Sequence, residues 1–200
     1  MKKIVYLISP NEIKNNFYAD LKKILSVGNV KFFQLRLKKK RKNKIIEITK
    51  KIRRITKKYK VKLIINDYYD ISKITNSDGC HLGQNDGSVQ KAKKYLNKKI
   101  IGVTCHNSKL LAKNATNDKA DYLAFGSFNK SKLKPNAKRA NLNILKWAKK
   151  NIKKPIVAIG GINNLNYKKF LKSGANYIAI SSYIWDNPKL KPEIATRKFK

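Results

Sequence analysis

Ile45-Ile46-Glu47-Ile48-Thr49-Lys50-Lys51-Ile52-Arg53-Arg54-Ile55-Thr56-Lys57-Lys58-Tyr59 and, after Lys60-Val61, Lys62-Leu63-Ile64-Ile65-Asn66-Asp67 place two periodicities side by side. In the first stretch Ile45, Ile48, Ile52, Ile55 and Tyr59 recur at spacings of three and four, which gives a helix one apolar face with lysines opposite. The second is a continuous apolar run, as expected of a strand covered on both faces. The same strand-then-helix alternation extends outward in both directions. Candidate strands are 4–9, 31–37, 62–67, 79–83, 100–105, 122–126, 156–161 and 177–182. Ile13, Phe17, Leu21 and Ile24 form a helical stripe after Asn11. Tyr167, Phe170 and Leu171 form another, with Asn164 as its expected N-cap and Gly174 just past its end.

Eight such strands with intervening helices predict a (β/α)₈ barrel, a single domain over residues 1–200 with short loops and a reduced last helix. Residues 186–200 are expected to be a loose tail. A doubly wound open sheet is the rival architecture. It would want a Gly-rich turn after the first strand, where the chain has Ser9-Pro10-Asn11.

Composition narrows the function. No apolar stretch approaches the ~18 residues of a membrane span. Met1-Lys2-Lys3 precedes only Ile4 to Ile8, too short a run for a signal-peptide core. The chain therefore reads as cytoplasmic, with no membrane partner. Cys80 and Cys105 are the only two cysteines, and neither lies in a paired spacing, so no disulfide framework or zinc cluster is expected. Cys105-His106 suggests a nucleophile, but adjacent strand residues face opposite ways and a lone strand cysteine usually packs. The formal net charge of +37 raises nucleic-acid binding. The lysines are spread through every candidate helix, however, and abundant Lys, Asn and Ile share A/T-rich codons. Weak, salt-sensitive adhesion to polyanions is expected, and no specific nucleic acid.

In a barrel, chemistry collects at the carboxyl ends of the strands. In chain order those ends carry Gln34, Arg36 and Lys38; Asn66 and Asp67; Gln84 and Asp86; Thr104 and His106; Gly126 and Ser127; Gly160 and Gly161; Ser181 and Ser182. Two cations and two carboxylates thus meet on neighbouring strands. This suits a diphosphate held through Mg²⁺, which takes one or two carboxylates plus phosphate oxygens. The alternative for Asp67 and Asp86 is helix capping, but Asp70 is the better cap for the segment after Tyr68-Tyr69. Gln34, Arg36 and Lys38 alternate, so all three project to one face, which would be costly without a ligand at the mouth. Gly160-Gly161 and Ser181-Ser182 end the seventh and eighth strands, where barrels often bind phosphate through backbone N–H groups. His81 reads as structural, and His106 as a candidate acid–base group at the mouth.

Taken together, Gln34-Leu35-Arg36-Leu37-Lys38, Ile65-Asn66-Asp67, His81-Leu82-Gly83-Gln84-Asn85-Asp86, Ile101-Gly102-Val103-Thr104-Cys105-His106, Asp121-Tyr122-Leu123-Ala124-Phe125-Gly126 and Val157-Ala158-Ile159-Gly160-Gly161-Ile162 resemble the thiamine-phosphate synthases. The likeness runs from Tyr6 to about Trp185, in the family's order. It implies a TIM barrel that joins hydroxymethylpyrimidine diphosphate to a thiazole phosphate and releases pyrophosphate. By that resemblance Gln34, Arg36, Lys38 and Asn66 contact the pyrimidine diphosphate, and Asp67 and Asp86 hold Mg²⁺. Thr104 stands where the family usually has Ser, and Lys134 matches its pyrophosphate-binding lysine. Arg36, Lys38, Thr104 and Lys134 would serve catalysis, and Gly160, Gly161, Ser181 and Ser182 would take the thiazole phosphate.

One segment departs from the family pattern of a proline, two threonines flanking one residue, then lysine. Here Asn129-Lys130-Ser131-Lys132-Leu133-Lys134 keeps one hydroxyl at Ser131 and lacks the other at Leu133. A related thiazole tautomerase is the enzyme rival. It typically lacks the metal carboxylates and carries His directly after the sixth-strand glycine, where this chain has Ser127. A polyanion-binding protein on a barrel scaffold is the reading from a different class.

Overall fold

All eight apolar runs are strands in the computed structural model, which describes residues 2–129 and 139–200. The strands are β1 (Val5–Ile8), β2 (Val30–Leu35), β3 (Lys62–Asn66), β4 (Gly79–Leu82), β5 (Ile100–His106), β6 (Tyr122–Phe125), β7 (Ile156–Ile159) and β8 (Tyr177–Ile180). They pair in parallel and in sequence order, and β8 returns to β1, closing the barrel. Between them run α1 (Phe17–Ser26), α2 (Lys42–Lys58), α3 (Tyr69–Ile74), α4 (Val89–Leu96), α5 (Lys109–Asn117), α6 (Leu142–Asn151) and α7 (Tyr167–Lys172). A short α8 (Ser182–Trp185) and α9 (Pro192–Arg197) follow β8. No described helix is long and apolar enough to cross a membrane.

The period of two along each strand splits the core in two. Tyr6, Phe32, Ile64, Tyr122, Val157 and Ala179 fill the barrel interior. Leu7, Phe33, Leu63, Ile65, Leu123 and Ala158 face the other way, under the helices, beside Ile45, Ile48 and Ile52 of α2. Cys80 and Cys105 belong to that outer layer, where burial pushes each thiol up to about 12, so both pack and neither is a nucleophile.

A polar pattern recurs at the amino-terminal ends of the even strands. Asp78, just before β4, accepts the Leu63 N–H at 2.9 Å. Asp121, before β6, accepts from Ile101 at 2.7 Å, and Asn176, before β8, accepts from Ile156 at 2.8 Å. Each thereby satisfies a donor at the start of the preceding odd strand. Asn29, before β2, fills the fourth place differently. Its backbone oxygen accepts from Val5, while its side-chain amide donates to Thr196 O at 2.9 Å and Phe199 O at 2.8 Å.

Three local expectations are corrected. Residues 186–200 are no loose tail: Phe199 is fully buried, and the Asn29 amide ties that segment beneath the barrel. The N-cap of α7 is Asn166 rather than Asn164, because Asn163 Oδ1 already gathers the Leu165 and Asn166 N–H groups. Asp70 lies inside the first turn of α3, where it accepts from Ile71 and pairs with Lys42 Nζ at 2.6 Å, and does not cap the helix.

Candidate active site

The carboxyl rim of β2 to β5 gathers the predicted polar residues. Gln34 is buried at the end of β2, and its Nε2 donates to Tyr6 Oη at 3.1 Å. Arg36 lies beyond the strand, its backbone N–H fixed by Ser9 Oγ at 3.0 Å. Its guanidinium forms no hydrogen bond or ion pair among the described residues. The alternation Gln34, Arg36, Lys38 therefore holds only in part, since β2 ends at Leu35. Lys38 still reaches the neighbouring strand, with Nζ 3.7 Å from Asp67 Oδ2. Asn66 is 8% exposed, yet its side-chain amide makes no hydrogen bond to a described residue.

Asp67 follows β3 with φ 65°, a left-handed backbone that non-glycine residues seldom adopt. Its N–H donates to His81 O at 2.8 Å, which turns the side chain toward the rim of β4. Asp86 comes from that next loop and is held by the Gly83 N–H at 2.9 Å. Burial and the facing Asp86 carboxyl push Asp67 up to about 6, against the pull of Lys38 and Arg36. Two carboxylates so placed share a proton or a cation. Among the described residues no group of three or more His, Cys, Asp or Glu could hold a metal alone. The pair suits a hard ion that completes its shell with water and phosphate oxygens, as Mg²⁺ does.

Thr104 faces the same mouth from β5, its Oγ1 2.8 Å from His81 Nε2. Gln84 Nε2 donates to the Thr104 carbonyl, which ties the loop after β4 to the end of β5. His106 is exposed, with φ 50°, past a register shift between Thr104 and His106. It forms no side-chain hydrogen bond to a described residue, so it does not join the cluster.

Across the mouth, Asn129 Nδ2 donates to Gly160 O at 3.0 Å and Gly161 O at 3.1 Å, and Asn166 Nδ2 donates to Gly161 O at 3.0 Å. A Cβ on Gly160 would strike Ser127, and one on Gly161 would strike Asn129, so glycine lets the loops after β6 and β7 pack together. With φ of 113° and 61°, and carbonyls tied to asparagine, their N–H groups donate to no described carbonyl. Ser181 Oγ donates to Ser9 O at 3.1 Å, and Ser182 opens α8 at the exposed rim. Ser131, Leu133 and Lys134 lie outside the described residues.

Two groups escaped the sequence reading. Asn129, which shapes the glycine loop, stands in a stretch notable only for its departures. His81, read from the sequence as structural, has its ring bonded to both Thr104 and Tyr122 Oη, 2.9 Å from Nδ1, a connection the sequence reading did not include. A usable signal was parity. His81, Thr104 and Tyr122 are in phase with the inward residues of their strands, and Gly102 leaves room for the Tyr122 ring.

A closed parallel barrel with paired carboxylates, cations and a glycine loop on one rim defines an enzyme of the (β/α)₈ class. Residues 5–184 match the family described as Thiamine monophosphate synthase. The thiamine-phosphate synthase of Pelagibacter ubique is 58% identical, covering 100% of this chain and 97% of that protein. That of Erythrobacter litoralis is 36% identical over 90% of this chain and 87% of its own length. The solved thiamine phosphate pyrophosphorylase from Pyrococcus furiosus superposes with a TM-score of 0.88 at 28% identity, covering 98% of this chain and 93% of that one. The chain belongs to the thiamine monophosphate synthase family, and its activity is the transferase step of thiamine biosynthesis for which that family is named.

Proposed function

We propose that this rim couples hydroxymethylpyrimidine diphosphate to a thiazole phosphate, with Mg²⁺ held between Asp67 and Asp86. The observation that carries the reading is the Asp67–Asp86 pair beside Lys38, two facing carboxyls whose mutual repulsion a divalent cation would relieve. The ion would supply charge neutralisation for the departing pyrophosphate. Arg36 and Lys38 add fixed positive charge on the same side, and Lys134 adds a third cation by the resemblance. Gln34 and Asn66 bring buried amides to the pyrimidine, and the Asn66 amide, without a hydrogen bond among the described residues, is a group that a bound ring would satisfy.

The reaction asks little covalent chemistry of the protein. The bond from the pyrimidine's exocyclic carbon to the diphosphate oxygen breaks with its electron pair leaving on pyrophosphate. The thiazole nitrogen lone pair then forms the new C–N bond at that carbon. The N–H groups of Gly160 and Gly161, which donate to no described carbonyl, would anchor the thiazole's phosphate, orienting the nucleophile and sheltering the carbocation from water. Ser181 and Ser182, at the end of the neighbouring β8, would line the same phosphate site. Ser127 stands where the tautomerase would want an imidazole, and its hydroxyl is engaged with Asn129 O at 2.7 Å.

The test is product formation from the two substrates across a Mg²⁺ titration. Asp67→Asn and Asp86→Asn should each lower turnover by about 10²-fold or more while the barrel stays folded. Lys134→Ala should also slow coupling strongly. Wild-type rates in both aspartate variants at ordinary Mg²⁺ would refute the metal assignment, and the absence of coupled product in the unmodified protein would refute the substrates.

A further inference from the structure

A continuous hydrogen-bonded chain crosses the barrel interior beneath the rim. It runs from Gln34 Nε2 to Tyr6 Oη at 3.1 Å, to Tyr122 Oη at 2.6 Å, to His81 Nδ1 at 2.9 Å, and from His81 Nε2 to Thr104 Oγ1 at 2.8 Å. Tyr6, Tyr122 and His81 are buried, so no bulk water can reorder them. Both ring nitrogens of His81 meet neutral hydroxyls and no carboxylate among the described residues bonds to the ring, so a neutral imidazole between neutral phenols is the arrangement this buried site holds at least cost.

Each hydroxyl and the neutral ring has one proton to give, and a buried proton left without an acceptor is costly, so with every proton placed inside the chain the direction of the first bond sets all the others. When Gln34 donates its amide to Tyr6, the Tyr6 proton goes to Tyr122 and the Tyr122 proton to His81 Nδ1. The ring then carries its proton on Nε2 and donates to Thr104. The Thr104 hydroxyl proton is left to point out of the chain, at whatever lies in the mouth. At the other end, Gln34 keeps Oε1 as its free acceptor. Reversing the order requires Gln34 to present Oε1 to Tyr6, and then both ends exchange character.

We infer that His81 is a positioning residue whose fixed Nε2–H tautomer, set through Tyr122 and Tyr6, makes Thr104 a hydrogen-bond donor to bound substrate while Gln34 is an acceptor. The two ends of the chain thus have opposite and linked polarity. That matches a ligand offering an amino group to one wall and an anionic oxygen to the other. The inference rests on the proposed aminopyrimidine diphosphate for its ligand, though the bond order itself does not.

Two measurements separate the parts. Nitrogen-15 NMR of the imidazoles in the unliganded protein should show His81 with Nε2 protonated and Nδ1 unprotonated; the converse pattern overturns the polarity. For kinetics, His81→Leu should lower kcat by about tenfold, and His81→Gln, whose amide nitrogen can reach Thr104 from the Nε2 position, should restore most of it. In a Thr104→Ala background His81→Leu should cause no further loss, since the ring acts through that hydroxyl. Equal losses from His81→Leu with and without Thr104 would overturn the positioning role. Should His81→Leu not fold, the same cycle is run with Tyr122→Phe, which keeps the ring that fills the interior. Unchanged kinetics in Thr104→Ala alone would remove the relay's part in the reaction. If unmodified protein forms no coupled product, the substrate reading fails instead, and the NMR result still decides the bond order.

Discussion

Asp67 combines two unfavourable states. Its φ of 65° lies where an aspartate costs on the order of 1 kcal/mol, and its carboxyl faces that of Asp86. Because its folded value, about 6, lies above the 3.8 of a free carboxyl, the folded state holds a proton that the unfolded state has lost between those values. This contribution to stability therefore falls as pH rises through that window and stays low above it. Asp67→Asn should accordingly raise the unfolding free energy of the metal-free protein at pH 8, by on the order of 1 kcal/mol after allowance for solvent at the rim, with a smaller gain at pH 5. The check is urea midpoints at both pH values, with Mg²⁺ raising the midpoint of the unmodified protein only. His81 works in the opposite sense. Burial lowers it from 6.5 to about 4, so its contribution is complete above pH 6.5 and is lost as pH falls toward 4. It is deeper than Asp67 and less screened, so it wins on the acid side. His81→Gln should flatten the acid limb of the pH–stability curve, a change worth about 3 kcal/mol at its limit.

At the scale of elements, β5 and β6 meet where Gly102 stands against Tyr122. A Cβ at Gly102 would fall inside the Tyr122 ring, so no rotamer adjustment of a distant atom relieves it. Gly102→Ala should destabilise the fold by about 1–3 kcal/mol through overpacking and lower coupling as well, since the displaced phenol is the one that bonds His81. Thermal melts and rates on the same variant check both, and a variant with normal activity would detach Tyr122 from the site. The same junction marks what the residues disclosed before the fold was seen. The eight strands were legible because strands buried on both faces need long apolar runs, and their ends were legible because polar groups stop those runs. Asp67 and Asp86 could be paired from strand order alone. The reach of the His81 ring could not, because it depends on the register of β4 against β5 and on a tyrosine two strands away. The cap of α7 was missed for a related reason: Asn163, Asn164 and Asn166 have nearly equal propensity, and only side-chain geometry separates them.

For the whole molecule, charge and closure matter most. A formal +37, from lysines and arginines scattered along the chain rather than gathered in one stripe, predicts adhesion to any polyanion that is indifferent to sequence and collapses as salt rises. Titrating unrelated duplexes at low and physiological salt checks it, and tight binding of one sequence at physiological salt would be the contrary result. Closure depends on the segment that holds Phe199. Phe199→Ala should cost about 3–5 kcal/mol, read as a lowered urea midpoint, because the ring is fully buried against Tyr167 and Tyr183. The Asn29 amide bonds carbonyls 167 and 170 residues further along. During synthesis that amide and the underside of α1 must wait, desolvated only in part, while the other strands emerge in turn. A nascent chain that has made β1 to β7 is thus an open curl with two raw sheet edges and no latch. Closure has to wait for β8 and this last segment, and that interval is when a growing chain of this protein would most need a chaperone.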